Sequence, residues 1–259
     1  MQNQFMYTPF FIDQPQPDIA QLAQSGWKAN QPDLSHDDRY SRMSALNESL
    51  AAFVTETVMA GDRPVSVNGD CCVTIGMLAG LQRARIDPLL IWLDAHGDFN
   101  TFETSPSGFI GGMPLAMLVG RGDQKLMELA GTRPLPEDQV ILTDGRNLDV
   151  VEGVEVTASK VQHVNYVDDL LKLDLGDRPI YVHFDTDVLN PNDAPSMVYA
   201  TEGGPSTKAL IAVMKHLAST GRVVAASMTV WDMANDTDKK TQAACMACLE
   251  ALVDHHRNY

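Results

Sequence analysis

The sequence predicts a doubly wound α/β fold in a single domain, a mostly parallel sheet with helices on both faces, and three observations carry that expectation. Short runs such as PLLIWLD (Pro88–Asp94) are apolar almost throughout, as strands buried on both faces must be. These runs alternate with stretches whose apolar residues recur at spacings of three and four, the helical period. The 259 residues are 44% hydrophobic and 20% charged, a balance that buries a core and excludes a disordered, collagen-like or coiled-coil chain. The expected domain spans residues 1–259.

Taken in order, Asp13 to Asp38 reads as loop, broken by Pro15, Pro17 and Pro32. Ser44–Gly61 starts on a capping residue and closes on glycine, which predicts a helix. Strands are expected at Pro64–Asn68, Pro88–Asp94, Val140–Thr143, Pro179–Phe184 and Arg222–Met228. Helices are expected in CVTIGMLAGLQRARI, Gly112–Gly120, Gln124–Gly131, Ser206–Thr220 and Lys239–His256, with short strand or loop pieces over Val154–Asn165.

The charge sum of −15 sets the chain against phosphate backbones and anionic membranes, so nucleic acid and membrane are not expected partners. No run approaches the ~18 apolar residues of a membrane span. The start, MQNQFMYTPFFIDQPQPD, has neither a basic region nor a continuous apolar one, so a cytoplasmic location is the default. The four cysteines are too few for a disulfide scaffold. Cys245 and Cys248 fall on one face of an apolar helix and read as core, as do Met113, Met117, Met228 and Met233. His36, His163, His216, His255 and His256 have no partners nearby in sequence and read as surface or satisfied residues.

In such folds ligands bind beyond the carboxyl ends of the strands. There LIWLDAHGDFN carries Asp94, His96 and Asp98 at alternate positions, and YVHFDTDVLNP carries Asp185 and Asp187 two residues after His183. An extended backbone would put each set on one face. Carboxylates this crowded repel unless a cation neutralises them. A carboxylate-rich set with few imidazoles suits hard divalent ions, and two ions ~3.5–4 Å apart are the usual way to share it. Manganese is the expected pair.

DAHGDFN and FDTDVLNP resemble the two signature motifs of the ureohydrolases, the manganese-dependent family of arginase, agmatinase and formiminoglutamase. VNGDCC stands where that family has Gly-Gly-Asp-His, and Gly203-Gly204 resembles its later glycine turn, so the resemblance runs from Val65 to Met233. It implies that Asp94 and Asp185 bridge two Mn2+ ions, that Asp98 and Cys71 complete one site, and that His96 and Asp187 complete the other. Cys71 also admits softer divalent ions, with Cys72 as the fallback ligand. Asp98 and His96 are then catalytic as well. His183 either orients a ligand carboxylate or moves protons, or is simply a hydrogen-bonded strand histidine. The arginase branch further implies that Asn100, Ser105 and Ser107 hold a substrate α-carboxylate, and Asp149 and Glu152 its α-ammonium. The family assembles as trimers or hexamers, and a monomer stays open.

Three positions depart from arginase: Cys71 for the first histidine ligand, Gly111 for the proton-shuttling histidine, and Val230 or Trp231 for the glutamate that meets the guanidinium. Losing that charge-assisted partner costs about 1.5–3 kcal/mol, which disfavours arginine. A less basic N-hydroxyguanidine suffers less, so the expected small-molecule substrate is Nω-hydroxy-L-arginine, cleaved to ornithine and hydroxyurea. Arginine, agmatine, a guanidino acid, formiminoglutamate, or a binding role without turnover are the alternatives.

Overall fold

The computed structural model describes residues 1–35 and 38–253. Eight strands form one sheet: β1 (Asn3–Thr8), β4 (Lys28–Ala29), β5 (Arg63–Asn68), β6 (Leu89–Asp94), β7 (Val140–Asp144), β8 (Gln162–His163), β9 (Ile180–Phe184) and β10 (Val223–Thr229). Their order is β4-β1-β5-β10-β9-β6-β7-β8 and every neighbouring pair is parallel. A small antiparallel hairpin, β2 (Phe10–Phe11) with β3 (Gln14–Pro15), stands apart.

Alternation along the strands divides the core in two. On β6, Leu90 and Trp92 face a cluster built with α1 (Arg39–Met59), α2 (Thr74–Arg83), α3 (Pro114–Leu118) and α4 (Lys125–Leu129), which also takes Val156 of α5 (Val150–Ala158). Leu89, Ile91 and Leu93 face a second cluster with α6 (Thr207–Ser219) and α7 (Lys240–Val253). Both faces are therefore covered, and the strands are apolar throughout because they have no wet side. Cys245 and Cys248 are fully buried in the second cluster, and the four methionines singled out above are likewise core.

The ends of the elements differ from the expectation where side-chain chemistry wins over pattern. The first helix begins five residues earlier than Ser44, because the Asp38 carboxylate accepts from the Ser41 N–H at 3.0 Å and supplies the cap. Ser206, the expected start of a helix, caps α6, accepting from the Ala209 N–H. In Val154–Asn165, residues 159–165 hold loop and the strand β8 as expected, but the stretch opens inside a helix: VVEGVEVTA is α5, its valines at 150, 151 and 154 on the exposed side. β-branched residues suppress the helical signal there, and the Glu152 carboxylate accepting from the Asp149 N–H at 3.0 Å restores it. The stretch read as loop holds β3, β4 and a 3-10 turn at Pro17–Leu22, and β1 lies before it. His36, His255 and His256 lie outside the described residues. Among the described residues no helix is long and apolar enough to cross a membrane.

The two longest helices of the first layer meet closely at Gly80, where a Cβ would lie 2.5 Å from Val54 Cβ and 2.7 Å from the Ala51 carbonyl oxygen. Gly80→Ala is therefore expected to destabilise the protein by about 1–3 kcal/mol, despite the better helix propensity of alanine. A denaturant midpoint equal to the wild type would refute this packing argument.

Candidate metal centre and substrate pocket

Four neighbouring strands, β5-β10-β9-β6, end at one cavity of about 260 Å³. Its lining includes Cys71, Asp94, His96, Asp98, Asp185 and Asp187. The backbone does not stay extended to bring them there. The strand stops at Asp94, the chain bends, and Asp98 sits at φ +46°, a left-handed conformation. After β9 the chain turns into a short 3-10 segment, Thr186–Val188, and the Asp185 side chain accepts from the Asp187 N–H at 3.0 Å. Bends, rather than strand alternation, make each set converge.

The ligand-type atoms form overlapping groups, each mutually within 4.8 Å: Cys71 with Asp94 and Asp98, Asp94 with His96 and Asp187, and Cys71 with His183 and Asp185. Cys71 Sγ lies 3.0 Å from Asp185 Oδ2, and His96 Nδ1 lies 3.0 Å from Asp187 Oδ2. Backbone and indole donors orient the carboxylates: His96 N–H and Trp92 Nε1–H donate to Asp94 at 2.7 and 3.0 Å, and Ala95 N–H donates to Asp187 at 3.2 Å. Cys72 instead points its thiol at the Ile110 carbonyl and joins none of these groups.

Electrostatics tests whether this set fits cations. Burial, then the charges of Asp94 and Asp185, push the Asp98 carboxyl well above its ordinary range. Burial together with Asp187 and Asp94 does the same to Asp185, and burial with Asp187 raises Asp94 to about 7. Burial opposes charge on His96, but Asp187 and Asp94 more than offset it and push its pKa up to about 12. Asp98 Oδ2 is buried without a hydrogen-bond partner. Crowded carboxylates and an orphaned acceptor are what divalent cations neutralise, so the residues fit a metal.

The residues expected to meet a substrate lie on α5, at its start, and in the loop after Asp98. Asn100 Nδ2 donates to Asp149 Oδ2 at 3.0 Å. Both Glu152 oxygens accept backbone N–H groups, from Phe99 and Asp149, so this residue fixes the two segments against each other. Ser105 is half-buried and Ser107 exposed, their hydroxyls 3.4 Å apart and each accepting from a backbone N–H. At Gly111 a Cβ would lie 2.3 Å from Phe109 Cε1, so the phenyl ring takes the space of a side chain. Val230 lines the cavity, while Trp231 is buried in the core behind it.

Several contributors gave no sequence signal. Phe11, Phe109 and Tyr199 form an aromatic rim, with ring centroids 6.1 and 6.2 Å apart along the series. Gln16 lines the cavity with its buried Oε1 unpartnered. Arg146 pairs with buried Asp144 at 2.9 Å and donates to the carbonyls of Asp187, Val188, Thr201 and Glu202. A Cβ on Gly204, at φ +80°, would meet Arg146 Cζ at 2.8 Å, which explains the glycine turn noted in the sequence.

A parallel sheet with acidic strand ends around a cleft can hold divalent cations where ligands bind in such folds. The Arginase family model matches residues 20–253. The chain is 30% identical over 239 residues to the arginase of Bacillus subtilis strain 168, covering 86% of this chain and 81% of that one. It is 31% identical over 189 residues to the N(omega)-hydroxy-L-arginine amidinohydrolase of Streptomyces lavendulae, covering 69% and 66%. The crystal structure of arginase from Bacillus subtilis superimposes with TM-score 0.83 at 27% identity over 98% of both chains. The chain belongs to the arginase family and is a hydrolase of C–N bonds in linear amidines.

Proposed function

We propose that this hydrolase takes Nω-hydroxy-L-arginine and water to ornithine and hydroxyurea. The observation that carries the reading is a cleft lined both by residues suited to an amino-acid head group, Asn100 and Asp149, and by uncharged Val230. The similarity to the Streptomyces lavendulae amidinohydrolase supports it.

Two divalent ions would be held, one by Cys71, Asp94, Asp98 and Asp185, and a manganese ion by Asp94, His96, Asp185 and Asp187. When bound they supply positive charge that lowers the pKa of water toward neutrality. Asp98 Oδ2, unpartnered and buried, accepts the proton as water adds to the amidino carbon. The C–Nδ bond then breaks and the leaving Nδ takes a proton, giving ornithine. Asp149 pairs with the substrate α-ammonium, and Asn100, Ser105 and Ser107 receive its carboxylate. Glu152 keeps Asp149 and Phe99 in register. The neutral acceptor Gln16 Oε1 suits an N–H or O–H donor on a weakly basic tail.

Arginine is the second reading, favoured by the same head-group residues. Without an anionic partner for the guanidinium, kcat/KM for hydroxyarginine is expected to exceed that for arginine by about 10–150-fold, the equivalent of 1.5–3 kcal/mol. Steady-state assays of both substrates decide, and equal values would overturn the assignment. Asp149→Ala is expected to raise KM for hydroxyarginine by about 10-fold or more, and to leave a guanidino acid without the amine nearly unaffected. A similar change for both would remove the head-group role.

A further inference from the structure

We propose that His183 is a metal ligand, acting through Nε2 beside Cys71 and Asp185, and that this sulfur, nitrogen and oxygen set selects a softer ion than manganese at that position. The inference rests on the reading of Cys71 as a ligand. A ring nitrogen of His183, Cys71 Sγ and an Asp185 carboxylate oxygen lie mutually within 4.8 Å. His183 is 0% exposed, and its Nε2 is buried with no hydrogen-bond partner. A buried polar atom left without a partner forfeits its hydration with nothing in return, so the protein maintains it against a penalty.

The rest of the ring is fixed in a way that keeps Nε2 free. Nδ1 lies 2.7 Å from Ser227 Oγ on the neighbouring strand, and Ser227 Oγ is in turn 2.7 Å from the Tyr181 hydroxyl. The Trp92 ring packs against the imidazole with centroids 4.1 Å apart. This is the second layer a ligating histidine requires: one nitrogen held by an outer hydrogen bond, the other left for the ion. Metal binding here displaces the thiol proton of Cys71 to solvent. Thiolate and imidazole together favour cobalt(II), zinc or iron(II) over manganese, whereas the Asp94, His96 and Asp187 group has no sulfur and keeps the harder preference. The two positions are thus expected to load different metals.

The test uses the full chain, stripped of metal and titrated with cobalt(II) while absorption is recorded. In the wild type a thiolate-to-cobalt band is expected, and Cys71→Ser should lose it. His183→Asn, which keeps a polar group against Ser227, should retain that band, shift the ligand-field bands and lose about 10–100-fold in cobalt affinity at this position. Manganese affinity at the His96 position should not change. If the band is present and both the affinity and the ligand-field bands are unaltered in His183→Asn, the ring is only a neighbour and the proposal fails while Cys71 ligation stands. If the wild type gives no such band, Cys71 ligation and the proposal fail together. Should the variant not fold, cadmium-loaded wild type with isotope-labelled histidine answers the same question, since nitrogen–cadmium coupling at His183 is required and its absence overturns the proposal.

Discussion

Asp98→Asn is expected to cost about 100-fold or more in kcat for amidine hydrolysis, while the metal-free variant melts no lower than the metal-free wild type. The two outcomes have one cause. The carboxylate is buried between Asp94 and Asp185, which disfavour its charge, and its Oδ2 has no partner. Its backbone is at φ +46°, a conformation asparagine adopts with little strain. Replacing it therefore relieves repulsion in the metal-free state and removes the proton acceptor from the chemistry. Divalent metal should reverse the order of stability. At about a hundredfold excess over Kd a bound ion adds about 2.7 kcal/mol, which raises Tm by about 5–10 °C for a domain of this size, and the variant should gain less. Melting curves with and without chelator measure both halves. A metal-free variant clearly less stable than the metal-free wild type would show that the acidic cluster is not under electrostatic stress.

Arg146→Met should destabilise the protein by about 3–5 kcal/mol, the cost of leaving a buried charge without its partner. Asp144 is 5% exposed, and burial already raises its carboxyl above the ordinary value against the pull of Arg146. Without the guanidinium it rises further. A carboxyl raised in the folded state binds its proton there more readily than in the unfolded chain, so the deficit shrinks as pH falls toward the ordinary carboxylate range and is largest at neutral pH. The same side chain ties four carbonyls of the Asp187 and Glu202 loops together. Metal affinity should therefore fall on the Asp187 side and hold on the Cys71 side. Chemical denaturation at pH 5 and pH 8 checks the first claim; a deficit independent of pH would contradict it.

The legible parts of the sequence were those set by local pattern. Continuous apolar runs located the strands ending at Asp94 and Phe184, and helical spacing identified Cys245 and Cys248 as core. The clustering of Asp94, His96, Asp98, Asp185 and Asp187 was legible from composition at strand ends, although the bends that achieve it were not. Gln16 and the Phe11–Phe109–Tyr199 rim were invisible because they meet the site only through loops distant in sequence, and Arg146 because, beside its local pair with Asp144, it ties carbonyls 41 to 56 positions away. Helix α5 was missed because its valines carry no apolar stripe of helical period: most of them face solvent, and its start is fixed by Glu152.

The order of strands also governs when the protein can exist as an enzyme. β5 and β6 are made early, yet they are held apart in the sheet by β10 and β9, which are made late. From Asp94 to Ile180 is 180 − 94 = 86 positions, roughly 4–17 s of synthesis at about 5–20 residues per second. Through that interval β6 lacks β9 on one side, and β5, paired with β1 on the other, still awaits β10, and such unpaired edges invite association with other chains. The charge of −15 gives nascent copies a mutual repulsion while they wait. Half the acidic cluster arrives only with Asp185 and Asp187, so the full set of carboxylates exists only once β9 has been made.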